Sequence, residues 1–208
     1  MAQSQEPVET INYRDYTIKI YPDECPESPR DWDNLGTILY HSRHYVLGDR
    51  DASAEEMQDI MNDPDNIWLP VYAYIHSGVL LNTTGFHCPW DSGQSGIIYI
   101  EKSKAFEEFG WKKLTKARRR KLETRLAQEI ETFSQYCEGA IYGYVVEDGQ
   151  GETVDSCWGF YGHTSAITEA ELVIDYRVEQ AIKKHCGQVK AWIKNRVSLN
   201  NRVALQLS

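Results

Sequence analysis

Leu122, Leu126, Ile130, Phe133 and Cys137 recur at steps of four, four, three and four. A helix turns once in about 3.6 residues, so the five lie on one face and predict a long amphipathic helix. Thr115 is placed to cap its start and Gly139 to end it. Other stretches alternate instead. Residues 16–20 read as an edge strand, and 37–40 resume strand character. Residues 68–76 and 79–83 are the arms of a hairpin turning at His76-Ser77-Gly78, and 96–101 follow as another strand. Residues 140–146 and 153–161 pair across the Gly-rich turn 147–152. Ser53-Ala54-Glu55-Glu56 is a capping box for a short helix to about residue 61, and Ser103 can cap another that ends near Gly110. Thr168-Glu169-Ala170-Glu171 opens a helix to Cys186, with Gly187 as its stop. Residues 189–197 and 203–207 read as a strand pair turning at Asn200-Asn201. Pro22, Pro26 and Pro29 make 21–30 an extended loop.

Strands that arrive as hairpins rather than βαβ units predict an α+β fold. The expected architecture is a mostly antiparallel sheet built from hairpins and covered on one face by two long helices. The 208 residues read as a single domain, with 1–10 disordered and 188–208 a basic C-terminal extension. A hydrophobic content of 41% is enough for a packed core and argues against a disordered chain. Five cysteines, an odd count, with no signal peptide point to a reducing cytosol. No apolar run approaches the roughly 20 residues of a membrane span.

The net charge of −9 conceals segregation. Residues 1–66 carry 15 acids against 5 bases, 102–126 carry 10 bases against 3 acids, and 183–202 carry 6 bases and no acid. An acidic third can mimic nucleic acid towards a basic groove. The segment 112–125, with Arg118, Arg119, Arg120 and Lys121 at the start of the long helix, can meet nucleic-acid phosphates. The alternative for these bases is internal pairing with the acidic third.

Three turns set Trp beside Asp or Cys with Gly close behind: Asp31-Trp32-Asp33-Asn34-Leu35-Gly36, His87-Cys88-Pro89-Trp90-Asp91-Ser92-Gly93, and Asp155-Ser156-Cys157-Trp158-Gly159. If the turns meet, Trp32, Trp90 and Trp158 frame a polar pocket able to hold a nucleotide. Otherwise they are packing residues. Cys88 is a candidate nucleophile if His41, His44 or His163 reaches it as a base. Asp33, Asp91 and Asp155 are candidate catalytic carboxylates for a small hydrolase or nuclease. Asp23 and Glu24, in the proline-rich loop, are candidate binding residues. His41 and His44 with Cys25, Cys88 and Cys157 lack the spacing of a zinc site, so neither metal nor cofactor is expected.

At Trp32-Asp33-Asn34-Leu35-Gly36-Thr37, Cys88-Pro89-Trp90-Asp91-Ser92-Gly93-Gln94 and Asp155-Ser156-Cys157-Trp158-Gly159-Phe160, the chain resembles a widespread, uncharacterised family encoded by phages and mobile elements. The resemblance spans roughly residues 16–162 and carries over no catalytic residue. It implies an accessory phage-type protein. Many such proteins block host defences, CRISPR systems included, by binding. The expected function is therefore a non-enzymatic inhibitor, for example an anti-CRISPR, of a host defence protein or nucleoprotein complex in the host cytoplasm, with no membrane partner.

Overall fold

A computed structural model describes residues 6–76, 78–88, 90–197 and 201. The fold is α+β, with two sheets and four α-helices. The chain packs as two compact units. The first unit takes the described residues of Met1–Tyr21, Gly143–Trp158 and Thr164–Ser208; the second takes Pro22–Tyr142 and Gly159–His163.

The second unit is built on a five-stranded sheet. Its strands are β3 (Thr37–Tyr40), β4 (Arg50–Asp51), β5 (Asn66–Ile75), β6 (Val79–Asn82) and β7 (Ser92–Glu101), in the order β4-β3-β7-β5-β6. β3 runs parallel to β4; the β3–β7, β5–β7 and β5–β6 pairings are antiparallel. α3 (Lys116–Glu138) lies on one face and seats Leu122, Leu126, Ile130 and Phe133 among Ile38, Ile67, Val71, Leu81, Ile98 and Ile100. This is the stripe read from the spacing, and Thr115 and Gly139 cap it as expected. α2 (Lys102–Phe109) adds Ala105 to the same face. α1 (Ala54–Asn62), capped by Ser53, covers part of the other face, where Leu39, Ala52, Met57 and Ile97 cluster. Cover on both faces explains the unbroken apolar run from Ile97 to Ile100, since successive strand residues point to opposite sides.

The first unit holds a four-stranded sheet in the order β1-β2-β8-β9, formed by β1 (Glu9–Tyr13), β2 (Tyr16–Pro22), β8 (Ile141–Glu147) and β9 (Thr153–Tyr161). Ile18, Ile20, Tyr144 and Val146 are buried at alternate positions. Ala166, Ala170 and Ile174 are buried on α4 (His163–Arg196) at steps of four.

Several expectations are corrected. The one sheet under two long helices becomes two sheets, with α3 and α4 in different units. β2 is an interior strand, because β1, over residues expected to be partly disordered, pairs with it through a turn at Arg14 (φ 54°). α4 starts at His163, so Thr168 caps nothing; its hydroxyl donates to Thr164 O at 2.9 Å inside the helix. Gly187 does not stop α4, which runs on to Arg196 in place of the first expected tail strand. Glycine costs a helix about 1 kcal/mol, too little to end one whose apolar spacing continues. The second tail strand, 203–207, lies outside the described residues. Among the described residues no helix is long and apolar enough to cross a membrane.

Candidate binding site

The corner where α2 meets α3 gathers the basic segment into one surface. α2 ends at Gly110, which takes the left-handed conformation (φ 62°). The chain then turns back so that Trp111 stacks on Phe109, with ring centroids 4.6 Å apart. The Arg118 guanidinium sits over Trp111 at 5.0 Å, and the Lys121 ammonium over Phe109 at 5.0 Å. Arg118 also donates to Lys113 O at 2.7 Å. These contacts offset the cost of placing cations at a helix N-terminus, which is a few tenths of a kcal/mol each.

Among the described residues, ion pairs engage two of the ten bases in 102–126. Lys102 reaches Asp65 at 3.2 Å and Arg119 reaches Glu123 at 2.8 Å. Lys112, Lys113, Lys116, Arg120, Lys121 and Arg125 are all exposed and have no carboxylate partner among the described residues. Internal pairing with the acidic third therefore does not neutralise this surface.

A cleft of about 530 Å³ opens beside these bases. Residues 33–35 form one wall, Lys104, Glu108 and Phe109 of α2 another, and Lys121, Thr124, Arg125 and Gln128 of α3 the third. Three cations and two carboxylates line it, and among the described residues no ion pair joins them. Of the charged groups lining it, Lys104 donates to Asn34 O at 2.9 Å. A shallower hollow lined by Gly110, Lys112, Lys113, Thr115 and Arg118 lies at the start of α3.

The Asp33 wall is positioned from α3. Glu129 is buried, and its carboxylate accepts the N–H groups of Leu35 at 2.9 Å and Gly36 at 3.1 Å. Arg30 lies 3.4 Å from Glu129, binds Asp49 through Nε at 2.8 Å and Nη2 at 2.7 Å, and donates to Gly36 O at 2.8 Å. Asp49 in turn accepts Ile38 N–H at 2.7 Å. A Cβ on Gly36 would fall 2.4 Å from Leu126 Cδ2, so the close approach of loop to helix requires glycine. The Asn34 amide closes the turn onto Pro29 O and Trp32 O, and the Trp32 ring meets Tyr161 edge-on at 5.1 Å.

The other two Trp motifs have separate surroundings. Trp90 is 92% exposed and has no ring neighbour among the described residues. In its turn the Cys88 thiol points to Asp91 Oδ2 at 3.8 Å, Asp91 O accepts Ile75 N–H at 3.0 Å, and Ser92 Oγ donates to Cys88 O. The His76 imidazole faces Asp91 Oδ2 (3.9 Å). In the order thiol, carboxylate, imidazole, no imidazole contacts the thiol among the described residues. Of the expected bases, His41 pairs with Asp51 at 3.4 Å, and His163 packs edge-on to Tyr142. Trp158 lies against Gly143, where a Cβ would be 2.2 Å from its ring. Asp155 accepts from Ser156 N–H at 3.0 Å and from the Tyr144 hydroxyl at 3.5 Å. Burial, reinforced by Asp155, pushes the Tyr144 phenol up to about 12. Asp23 is engaged in a local turn, accepting Cys25 N–H at 3.1 Å, while Glu24 is exposed. All five thiols are free, and no group of three His, Cys, Asp or Glu among the described residues could hold a metal ion.

Of the residues singled out in the sequence, Asp33 and Lys121 thus share one cleft, with Arg118 and Arg120 on the surface beside it. Glu129 had a readable signal. It sits three residues after Leu126 and one before Ile130, on the buried face, where an acid must have a partner. Phe109, Trp111 and Arg30 had none. Comparison with protein-family models, with curated proteins and with solved structures finds no match.

Proposed function

We propose that this chain is a non-enzymatic binding protein whose α2–α3 surface docks a phosphate-bearing partner. The observation that carries the reading is the set of six exposed bases without a carboxylate partner among the described residues, arranged beside a stacked Phe109/Trp111 pair. Cations that the fold does not neutralise are available to phosphates, and flanking aromatics suit single-stranded nucleic acid. The phage-type motifs suggest the setting. The partner is then a host defence protein or nucleoprotein complex in the cytoplasm, and an anti-CRISPR is the specific case.

Fluorescence anisotropy with a labelled single-stranded oligonucleotide tests this. If the six bases each neutralise one phosphate, log K falls against log salt with a slope of about −4. Reversing Arg120, Lys121 and Arg125 to Glu should abolish binding and leave the fold intact, since none of the three is buried or ion-paired. Unchanged affinity in that variant overturns the reading.

A second reading, nucleotide sequestration, is favoured by the cleft itself, where unpaired groups of both signs face one cavity. Saturable binding of a nucleoside monophosphate, lost in Arg125→Glu, would select it. The hydrolase alternative gains no support from the Cys88 turn, where the imidazole meets the carboxylate and not the thiol.

A further inference from the structure

The outer half of α4 carries a surface that the basic corner does not use. Beyond the buried Ala166, Ala170 and Ile174, apolar residues continue at Val178, Ile182, Cys186, Val189 and Ile193. The steps are four, four, three and four, the same spacing that seats α3 on its sheet. Val178 and Ile193 at its ends are half-buried, but among the described residues nothing covers the stretch between them. Every residue from 181 to 192 is exposed, including Ile182 at 58%, Val189 at 41% and Trp192 at 55%. An apolar stripe of this length held in water marks an interaction surface.

We propose that the stripe binds a second copy of this chain, the two α4 helices packing antiparallel about a two-fold axis. Charge placement selects this occupant. With Ile182 and Val189 one heptad apart at the first seam position, Val178, His185 and Trp192 take the second. The positions flanking the seam hold Ala181, Gln188 and Asn195 on one side, and Glu179, Cys186 and Ile193 on the other. Glu179 is the only charged one, and Lys183 pairs with it at 2.6 Å. Lys183, Lys184, Lys190 and Lys194 fall at the outer positions, where a facing helix sets no like charge against them. An acidic groove or an anionic bilayer would instead be met by cations bordering the apolar face.

The stripe also complements itself. In an antiparallel pair centred between His185 and Cys186, Ile182 meets the partner's Val189 and Val178 meets the partner's Ile193. The same register sets Arg196, which lies over Trp192 at 5.5 Å, towards the partner's Asp175. The shared stretch is roughly 24 Å long at 1.5 Å per residue. That is a small interface, so the dimer is weak and depends on concentration.

Sedimentation velocity of the full chain over a dilution series, about 5 to 500 µM, reads the equilibrium. The expected result is a shift from monomer to dimer. It should be lost in Ile182→Asp/Val189→Asp and kept in Lys184→Glu/Lys190→Glu. A second measurement covers the case in which the aspartate variant misfolds. Mild copper–phenanthroline oxidation of the otherwise native chain should give a disulfide-linked dimer that Cys186→Ser abolishes. A wild-type chain that is monomeric throughout overturns the proposal. So does a dimer indifferent to both the 182/189 pair and Cys186. A chain that stays monomeric but sediments with phosphatidylserine vesicles, or binds an acidic amphipathic peptide through α4, assigns the stripe to another occupant and equally overturns it.

Discussion

Truncating Glu129 to alanine would show how far the wall of the cleft depends on α3. Glu129 is 8% exposed and is the acceptor for Leu35 N–H at 2.9 Å and Gly36 N–H at 3.1 Å. Alanine strands these two buried donors at about 1–3 kcal/mol each. It also leaves the Arg30 guanidinium, whose side chain is 9% exposed, with Asp49 as its remaining carboxylate. Removing one member of a buried charged network costs about 3–5 kcal/mol in comparable cases, which agrees with the donor estimate, so Glu129→Ala should cost about 3–5 kcal/mol. Glu129→Gln keeps one acceptor oxygen and should cost about 1–2 kcal/mol. Urea unfolding at neutral pH, followed by tryptophan fluorescence, measures both through the midpoint at constant slope. Arg30→Met combined with Glu129→Leu should lose less than the two single changes together, because neither charge of the buried Arg30–Glu129 pair is then stranded, while Asp49 is partly exposed and keeps the Ile38 N–H. A loss below about 1 kcal/mol for Glu129→Ala would refute the assignment, since surface changes alone reach about half of that.

Gly187→Ala should stabilise α4 by up to about 1 kcal/mol and raise the helical circular dichroism, because a Cβ there meets open space; a loss of helix would restore Gly187 as a stop. Gly143→Ala should destabilise the first unit by about 1–3 kcal/mol, the overpacking cost of driving a Cβ into the Trp158 ring, and denaturant titration reporting no change would contradict that packing. Burial pushes the Cys137 thiol up to about 11. The folded value lies above the ~8.5 of an unfolded thiol, so its contribution to stability is complete below about pH 8.5 and is lost as pH rises through about 11. Iodoacetamide near pH 8 should label Cys25, Cys157 and Cys186 and spare Cys137, and equal rates at all four would contradict its burial.

The parts of the fold legible in the sequence are those whose cause is local. The α3 stripe and its caps depend on spacing within one helix, and β9 was bounded by its own composition and turn. The capping-box pattern at Thr168 misled because a box fits any segment that obeys it, while the helix had already begun five residues earlier. β1 was missed because Glu9–Tyr13 is mostly exposed, and its strand character comes from pairing with β2. The site divides in the same way. Arg118 to Lys121 could be read as a basic helix start, and Asp33 could be picked from its motif. The Phe109/Trp111 stack needs the left-handed turn at Gly110, and Glu129 meets Arg30 across 99 positions of sequence. Convergence of that kind leaves no periodic trace.

The strand order β1-β2-β8-β9 bears on how the molecule is made. The ribosome releases β1 and β2 first, but the strand that flanks β2 on its other side is β8. About 120 residues separate the two, which at 5–20 residues per second is a delay of roughly 6–24 s. For that time the hairpin exposes an unpaired edge to other chains. Pro22 closes the end of β2 with a residue that has no N–H to offer a stray strand. The unit around α3 is nearly contiguous and can close while the first hairpin is still waiting. Synthesis thus gives the unit that carries the basic corner a head start over the unit that carries α4.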